Sequence, residues 1–215
     1  MFEEAEPGAR PDMTTLLILL NIVAFSGEVA TDGALAQQFA LWPPILGMPA
    51  DGEVGFAPWQ LLTYGFLHAN LTHLAFNMLG LWMFGRSVEA SLGPGRMLAV
   101  YLASLVSAGL IQLAVLGYIA PAHMPTIGAS CAVFGLLFAY ARLFPRRIVV
   151  LLFPPIPMPA WLFATVYAVL ELFLGLADTR TGIAHFAHLG GMAGSALLLV
   201  HWHVRAEPRT RPDDA

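Results

Sequence analysis

Residues 54–85 read VGFAPWQLLTYGFLHANLTHLAFNMLGLWMFG and contain no Asp, Glu, Lys or Arg. Residues 97–117 and 181–204 are equally free of formal charge, and residues 148–176 contain one charged residue, Glu171. A helix needs about 20 mostly apolar residues to cross the hydrocarbon core of a bilayer, which is about 30 Å thick. These four stretches are long enough to do so, and they predict a protein built from membrane-spanning helices.

The composition of the whole chain agrees with a lipid environment. Charged residues make up 11% of the 215 residues, and hydrophobic residues make up 58%, whereas a soluble domain contains about 25% charged residues. All ten basic residues are Arg and the net charge is −4, so nucleic acid is not an expected partner. Cys131 is the single cysteine, which excludes an internal disulfide framework and a cysteine-based zinc site.

We predict an all-α fold with six transmembrane helices in one bundle. The predicted spans lie near residues 13–30, 69–90, 97–117, 128–144, 159–177 and 183–203. We expect a short cytoplasmic segment at residues 1–12, a single membrane domain at residues 13–203 and a cytoplasmic tail at residues 204–215. The charged residues before the first span are mainly acidic, whereas a signal peptide begins with a basic region. We therefore expect a membrane span here and not a signal peptide.

The distribution of arginine predicts the orientation of the chain. With the N-terminus inside, nine of the ten arginines fall on inner segments, and Arg180 falls outside. Such a bias is typical of inner loops of membrane proteins. We therefore expect both termini in the cytoplasm and, because no transit sequence or large extra domain is recognised, a bacterial inner membrane.

Polar side chains cluster in three of the predicted spans. They lie in HANLTHLAFNM (68–78) on span two, TIGASCAVFG (126–135) on span four and AHFAHLGGMAGS (184–195) on span six. Polar and ionisable groups are costly inside a membrane, so each is a candidate functional residue. All three spans run from outside to inside in the predicted topology. The three clusters therefore lie at the same depth, in the outer half of the bilayer.

Ser130 and His188 are the candidates for a nucleophile and its base. Small residues repeat on span four (Gly128, Cys131, Ala132, Gly135, Ala139) and, around His188, on span six (Ala184, Gly191, Ser195), and small faces let helices approach closely. An imidazole within hydrogen-bond distance can activate a serine hydroxyl. Span four is short, so its N-terminus is expected below the outer surface beside a wet pocket. The free N–H groups there suit a developing oxyanion.

Other interpretations of these polar groups compete with this one. His185 competes with His188 as the base, and Cys131 competes with Ser130 as the nucleophile. The histidines at positions 73, 185 and 188 suggest a metal site, although no carboxylate or thiolate partner is apparent. They also suggest proton relays of a small transporter or channel, although transporters usually show paired interrupted helices in two repeated halves.

Two acidic residues near the spans also need a partner. Glu171 is expected in the outer half of span five, as a pore-facing polar residue, a gate contact or a protonated structural group. Glu89 is expected to form a solvated ion pair with Arg86 near the inner end of span two.

The three strings, in this order on spans two, four and six, resemble the rhomboid intramembrane serine proteases over about residues 57–200. The resemblance implies a six-helix core that cleaves transmembrane helices of other proteins near the outer surface. It implies a serine–histidine dyad without a third acidic member, in which Ser130 is the nucleophile and His188 the general base. It implies no cofactor and no metal, with transmembrane protein substrates and the lipid bilayer as partners, and leaves the oligomeric state open.

The resemblance also implies roles for the residues around the dyad. His73 and Asn77 would hydrogen-bond the oxyanion together with the backbone N–H of Ser130. His68 would support that wall of the site, and Gly128 would let the chain approach closely before the nucleophile. The sequence departs from the family pattern at Cys131, Phe138 and Ser195, where glycine is usual or common. A catalytically silent rhomboid-like protein that binds membrane helices is the alternative function.

Overall fold

The computed structural model describes residues 12–43, 54–119, 124–150, 155–177 and 184–206. Within these ranges the chain forms nine α-helices and one hairpin of two strands. The helices are α1 (Met13–Ala30), α2 (Ala34–Phe39), α3 (Gln60–Thr63), α4 (Leu71–Gly80), α5 (Arg86–Leu92), α6 (Pro94–Ala114), α7 (Ser130–Leu143), α8 (Ala160–Ala177) and α9 (His185–His201). The strands are β1 (Ile148–Val150) and β2 (Pro157–Pro159). The expected segment at residues 1–12 and the tail at residues 204–215 fall almost entirely outside the described residues.

The long helices lie where the six spans were predicted, within three residues at either end. The second stretch is continuous because α4 runs through a π-helical segment, Leu81–Gly85, into α5, and α6 likewise continues through Val115–Ile119. Three helices, Met13–Ala30, Pro94–Ile119 and Ala160–Ala177, are long and apolar enough to cross a membrane, and α7 is a shorter apolar helix. A bundle of apolar helices is thus observed, and six crossings remain a prediction.

Helix α6 forms the centre of the bundle. Its side chains at Met97, Val100, Tyr101 and Leu105 are completely buried, and it packs against α9, α7 and α3. The hydroxyl of Tyr64 donates a 2.9 Å hydrogen bond to the carbonyl of Leu105, which ties the chain before α4 to this central helix. The polar group is thereby satisfied at a position without access to solvent.

Glycines set the distance between α6, α7 and α9. A Cβ atom at Gly191 would collide with the backbone carbonyl of Cys131 on α7, and one at Gly190 would lie 2.8 Å from the Cα of Ala108 on α6. The carbonyl of Gly190 also accepts a 2.7 Å hydrogen bond from the hydroxyl of Ser107. The predicted face of small residues on span six therefore packs on α7 at Gly191. A second face of the same helix, which carries Gly190, packs on α6.

The N-terminal helix is held by Glu89 at the end of the second span. Its carboxylate accepts hydrogen bonds from the backbone N–H groups of Met13 and Thr14, at 2.7 and 2.9 Å, and from the hydroxyl of Thr14 at 2.7 Å. Arg86 instead lies 3.8 Å from the carboxylate of Asp12. The expected ion pair between Arg86 and Glu89 is therefore wrong, because the free N–H groups of α1 attract the carboxylate.

Helix α8 lies at the edge of the bundle. It follows the antiparallel pair β1 and β2, and the N–H of Ala160 donates to the carbonyl of Arg147 at 2.8 Å. Several of its large apolar side chains are exposed, among them Trp161, Phe173 and Leu176. Its inner face, which includes Phe163 and Glu171, is buried. This one-sided pattern suits a helix that meets lipid on its outer side.

Candidate active site

Ser130 is the first residue of α7, and the loop before it is fixed by backbone contacts. Thr126 pairs with Leu41 in an antiparallel bridge, and the N–H of Gly128 donates a 2.9 Å hydrogen bond to the carbonyl of Tyr64. Gly128 has a φ of +123°, a conformation that favours glycine. The first N–H groups of a helix lack partners within it, so donors and the positive end of the helix dipole surround the hydroxyl of Ser130.

His188 lies in the first turn of α9, and its ring reaches the serine. Its Nε2 atom is 2.8 Å from the Oγ of Ser130. The imidazole stacks on the ring of Phe134, with 4.5 Å between the centroids and 4° between the planes. Phe134 is one turn after Ser130 on α7, so one helix supplies both the serine hydroxyl and the ring on which His188 stacks.

Helix α4 forms the opposite wall. Asn70 caps the helix by accepting a 2.8 Å hydrogen bond from the N–H of His73. The Nδ1 of His73 lies 3.5 Å from the N–H of Ala69, a long contact in which Nδ1 is the acceptor. In the neutral tautomer that matches this contact, Nε2 carries the proton, and a Cβ built on Gly128 would lie 2.8 Å from that nitrogen. In this tautomer His73 presents a donor to the turn before Ser130.

Asn77 lies one turn after His73 and is buried. Its amide nitrogen donates a 3.0 Å hydrogen bond to the backbone carbonyl of His73. An amide nitrogen has two protons, so one remains for the cavity. His68 is 1% exposed and contacts the edge of the His73 ring, with 5.0 Å between the centroids. His68 therefore packs against the ring of His73, and its supporting role stays a prediction.

A cavity of about 580 Å³ joins these groups. Its lining contains His73, Asn77, Ser130 and His188, together with Phe76, Phe84, Phe134, Phe163 and Tyr167. The polar groups come from α4, α7 and α9, and two of the five aromatic rings, Phe163 and Tyr167, come from α8. The structure therefore brings together the predicted residues of spans two, four and six around one space large enough for a short peptide segment.

Cys131 and His185, the other candidates for the nucleophile and the base, do not form the contact that joins Ser130 and His188. Cys131 is 1% exposed and belongs to the core cluster, because consecutive helical residues point about 100° apart. His185 is buried and directs its Nδ1 to the carboxylate of Glu171, at 2.6 Å. Geometry thus places His188, rather than His185, against the serine.

Glu171, whose role the sequence left open, contacts two histidines. Its Oε2 lies 2.6 Å from the Nδ1 of His185 and 3.0 Å from the Nδ1 of His188. The ligand atoms of these three residues all lie within 4.8 Å of one another. From the sequence, no carboxylate was apparent near the histidines, and for that reason a metal site had little support. The structure places the carboxylate of Glu171 there. The second contact is short, yet the Nδ1 of His188 makes no hydrogen bond of suitable angle.

Sequence reasoning missed the contact of Glu171 with the histidines, although a signal for it was available. Glu171 is the single charged residue in residues 148–176, and its expected depth in the outer half of span five matches that of His188. A buried carboxylate is costly without a partner, and histidine is the nearest cationic type at that depth. The stacking of Phe134 on His188 carried no comparable signal.

Comparison with known proteins agrees with this arrangement. Residues 56–204 match the family model described as the rhomboid domain. The chain is 32% identical over 189 residues to Rhomboid protease GluP of Bacillus subtilis (strain 168), which covers 86% of the chain and 34% of that protein. It is 33% identical over 154 residues to the mitochondrial Rhomboid protein 1 of Saccharomyces cerevisiae, covering 67% of the chain and 41% of that protein.

A plant relative extends the comparison. The mitochondrial RHOMBOID-like protein 12 of Arabidopsis thaliana is 31% identical over 150 residues, or 64% of the chain and 44% of that protein. The matches cover between about a third and under half of the length of these relatives. The range matched by the family model, residues 56–204, includes the residues that line the cavity.

Proposed function

Because the chain belongs to the rhomboid family, we propose that it is an intramembrane serine endopeptidase that uses Ser130 and His188 as a catalytic dyad. The observation that carries this proposal is the distance of 2.8 Å between the Nε2 of His188 and the Oγ of Ser130, with the ring held on Phe134. A serine hydroxyl is a weak nucleophile unless a base at this distance takes its proton. The named protease among the relatives supports the same activity.

The reaction is acyl transfer in two halves. The Oγ of Ser130 attacks the carbonyl carbon of the scissile bond, while its proton passes to the Nε2 of His188. That proton then goes to the leaving amine as the peptide bond breaks. Water, deprotonated by the same imidazole, attacks the acyl-enzyme and restores the hydroxyl of Ser130. No cofactor is required for either half.

The oxyanion that forms in each half needs donors that are already in place. The candidates are the backbone N–H of Ser130, the Nε2–H of His73 and the free amide proton of Asn77. The first lies at a helix N-terminus, and the other two line the same cavity. Preorganised donors of this kind stabilise charge more strongly in the transition state than in the ground state.

The substrates are transmembrane helices of other membrane proteins. An α-helical peptide bond is shielded by its own hydrogen bonds, so the substrate must unwind near the outer surface, where Gly, Ala, Ser or Pro weaken the helix. The proposed setting is a bacterial inner membrane with both termini in the cytoplasm. The arginine distribution supports this orientation.

The test is labelling of the purified protein in detergent by a fluorophosphonate probe, which reacts with activated serines. We expect the wild type to be labelled, and we expect Ser130→Ala and His188→Ala to lose labelling while keeping the wild-type melting temperature. A smaller phosphonate serves as a second probe, in case access to the cavity limits the reaction. Failure of both probes with folded wild-type protein would favour a silent protein that binds membrane helices.

A further inference from the structure

Glu171 is placed where it can act on His188. The side chain is 10% exposed, and its Oε2 lies 3.0 Å from the Nδ1 of His188, on the opposite side of the imidazole from Ser130. We propose that Glu171 is a positioning residue for the base, so that the site functions as a Ser130–His188–Glu171 triad. This inference rests on the proposed protease function. It departs from the dyad that the sequence resemblance implies.

The two nitrogens of His188 have to share one proton while the ring is neutral. The Nε2 can accept the proton of the Ser130 hydroxyl in the tautomer that holds its proton on Nδ1. Glu171 provides an acceptor beside Nδ1 and therefore favours that tautomer. When Nε2 takes the proton of Ser130, an imidazolium forms beside the carboxylate. The Nδ1–H stays on the ring, Glu171 keeps its charge, and the Nε2 proton leaves with the amine.

His185 holds the carboxylate in position for this task. It makes the shorter contact, 2.6 Å from Nδ1 to Oε2, and it is buried at the first position of α9. The contact with His188 is 3.0 Å long and not aligned as a hydrogen bond. Glu171 is thus fixed by one histidine and available to the other.

The experiment compares Glu171→Gln, Glu171→Asp and wild-type protein in detergent, and the wild type is assayed both with and without a chelator. Gln keeps the shape of Glu171 and an acceptor for His185 but removes the charge, and Asp keeps the charge on a shorter side chain. Glu28→Gln is the matched control, because it makes the same change in α1. Fluorophosphonate labelling rates, melting temperatures, and the kcat and KM for a cleaved transmembrane peptide are measured for each.

We expect Glu171→Gln to lower kcat and the labelling rate by up to about 10⁴-fold, the loss known for neutralising the acid of a serine triad. KM and the melting temperature should stay at wild-type values, since substrate contacts and packing are kept. The kcat and labelling rate of Glu171→Asp should lie between those of Glu171→Gln and the wild type. Glu28→Gln should match the wild type.

The outcomes separate this inference from the proposed function. Equal kcat in Glu171→Gln and wild type, with labelling lost in Ser130→Ala and His188→Ala, would overturn the triad and leave the dyad. Labelling that survives in Ser130→Ala would overturn the protease function itself. Loss of wild-type activity on chelation would also overturn the triad, since the three groups would then act as metal ligands. If Glu171→Gln does not fold, a wild-type kcat in Glu171→Asp overturns the inference and a reduced kcat with unchanged KM supports it.

Discussion

Asn77 and Asn21 make the same local contact in different surroundings. Each is buried and donates its amide to the carbonyl four residues earlier, at 3.0 Å for Asn77 and 2.7 Å for Asn21. Asn77 lines the cavity with Ser130, whereas Asn21 lies in α1. The pair therefore separates the contribution of a buried amide to the fold from its contribution to the reaction.

We predict that Asn77→Ala lowers kcat by about 10²- to 10³-fold with little change in KM, because a donor to the oxyanion acts in the transition state. Asn21→Ala should lower the melting temperature by a similar amount to Asn77→Ala but keep kcat. Steady-state cleavage of a transmembrane peptide in detergent is the measurement. A wild-type kcat in Asn77→Ala would remove this residue from the oxyanion site.

Gly128 combines a positive φ with a close neighbour. A Cβ at this position would lie 2.7 Å from the Cε1 of His73, while Gly93, with a φ of +84°, has open space around it. Alanine strains the backbone at both positions, at a cost of about 1–3 kcal/mol. We predict that both variants lower the melting temperature and that only Gly128→Ala reduces labelling of Ser130, since it displaces His73. Equal labelling of the two variants would contradict this prediction.

The contact between Ser130 and His188 also depends on how α7 and α9 pack. Ser130 begins one helix and His188 lies in the first turn of the other, so their distance follows from the separation of the two axes. Gly191 sets that separation because its Cα faces the backbone of Cys131, which cannot rotate away. Flexible side chains elsewhere in the bundle can adjust, and a backbone carbonyl cannot.

We predict that Gly191→Ala destabilises the protein by about 1–3 kcal/mol, the usual cost of overpacking, and reduces the labelling rate of the folded fraction. Gly95→Ala is the matched control, because nothing lies within 4 Å of a Cβ there and alanine favours a helix. Thermal denaturation and labelling of each variant test the prediction. A labelling rate in Gly191→Ala equal to that of Gly95→Ala would show that the axes of α7 and α9 can separate without loss of the contact.

At the scale of the whole bundle, a contact between α1 and the end of the second span attaches the N-terminal helix. Glu89 accepts three hydrogen bonds from Met13 and Thr14, and α1 is otherwise largely exposed along its apolar surface. In a membrane this exposed surface meets lipid, so burial against the bundle gives α1 little attachment. The polar contact with Glu89 therefore holds the helix in place.

We predict that Glu89→Gln lowers the free energy of unfolding by about 1.5–3 kcal/mol, because hydrogen bonds to a charged acceptor are replaced by weaker ones. Glu28→Gln, on α1 itself, should have a smaller effect. Denaturation in mild detergent followed by near-ultraviolet circular dichroism measures the difference. Similar stabilities of the two variants would mean that α1 is held by other contacts.

Three features could be predicted from the residues alone: the bundle of helices, the bounds of its long helices and the polar residues around the cavity. The physical reason is that each of these depends on local information. Long uncharged stretches predict helices in lipid, and a polar residue in such a stretch, such as Ser130 or His73, is conspicuous because its burial is costly.

Which polar groups contact one another could be seen only in the folded protein. From the sequence, His185 and His188 were competing candidates for the base, and Glu171 had no predicted partner. The distance between residues on different helices depends on the rotation and tilt of each helix, and the residue pattern of one span does not contain that information. The same holds for Glu89, whose partner lies 75 residues away on α1. Close packing at Gly190 and Gly191 orients α9, and that orientation places His188 between Ser130 and Glu171.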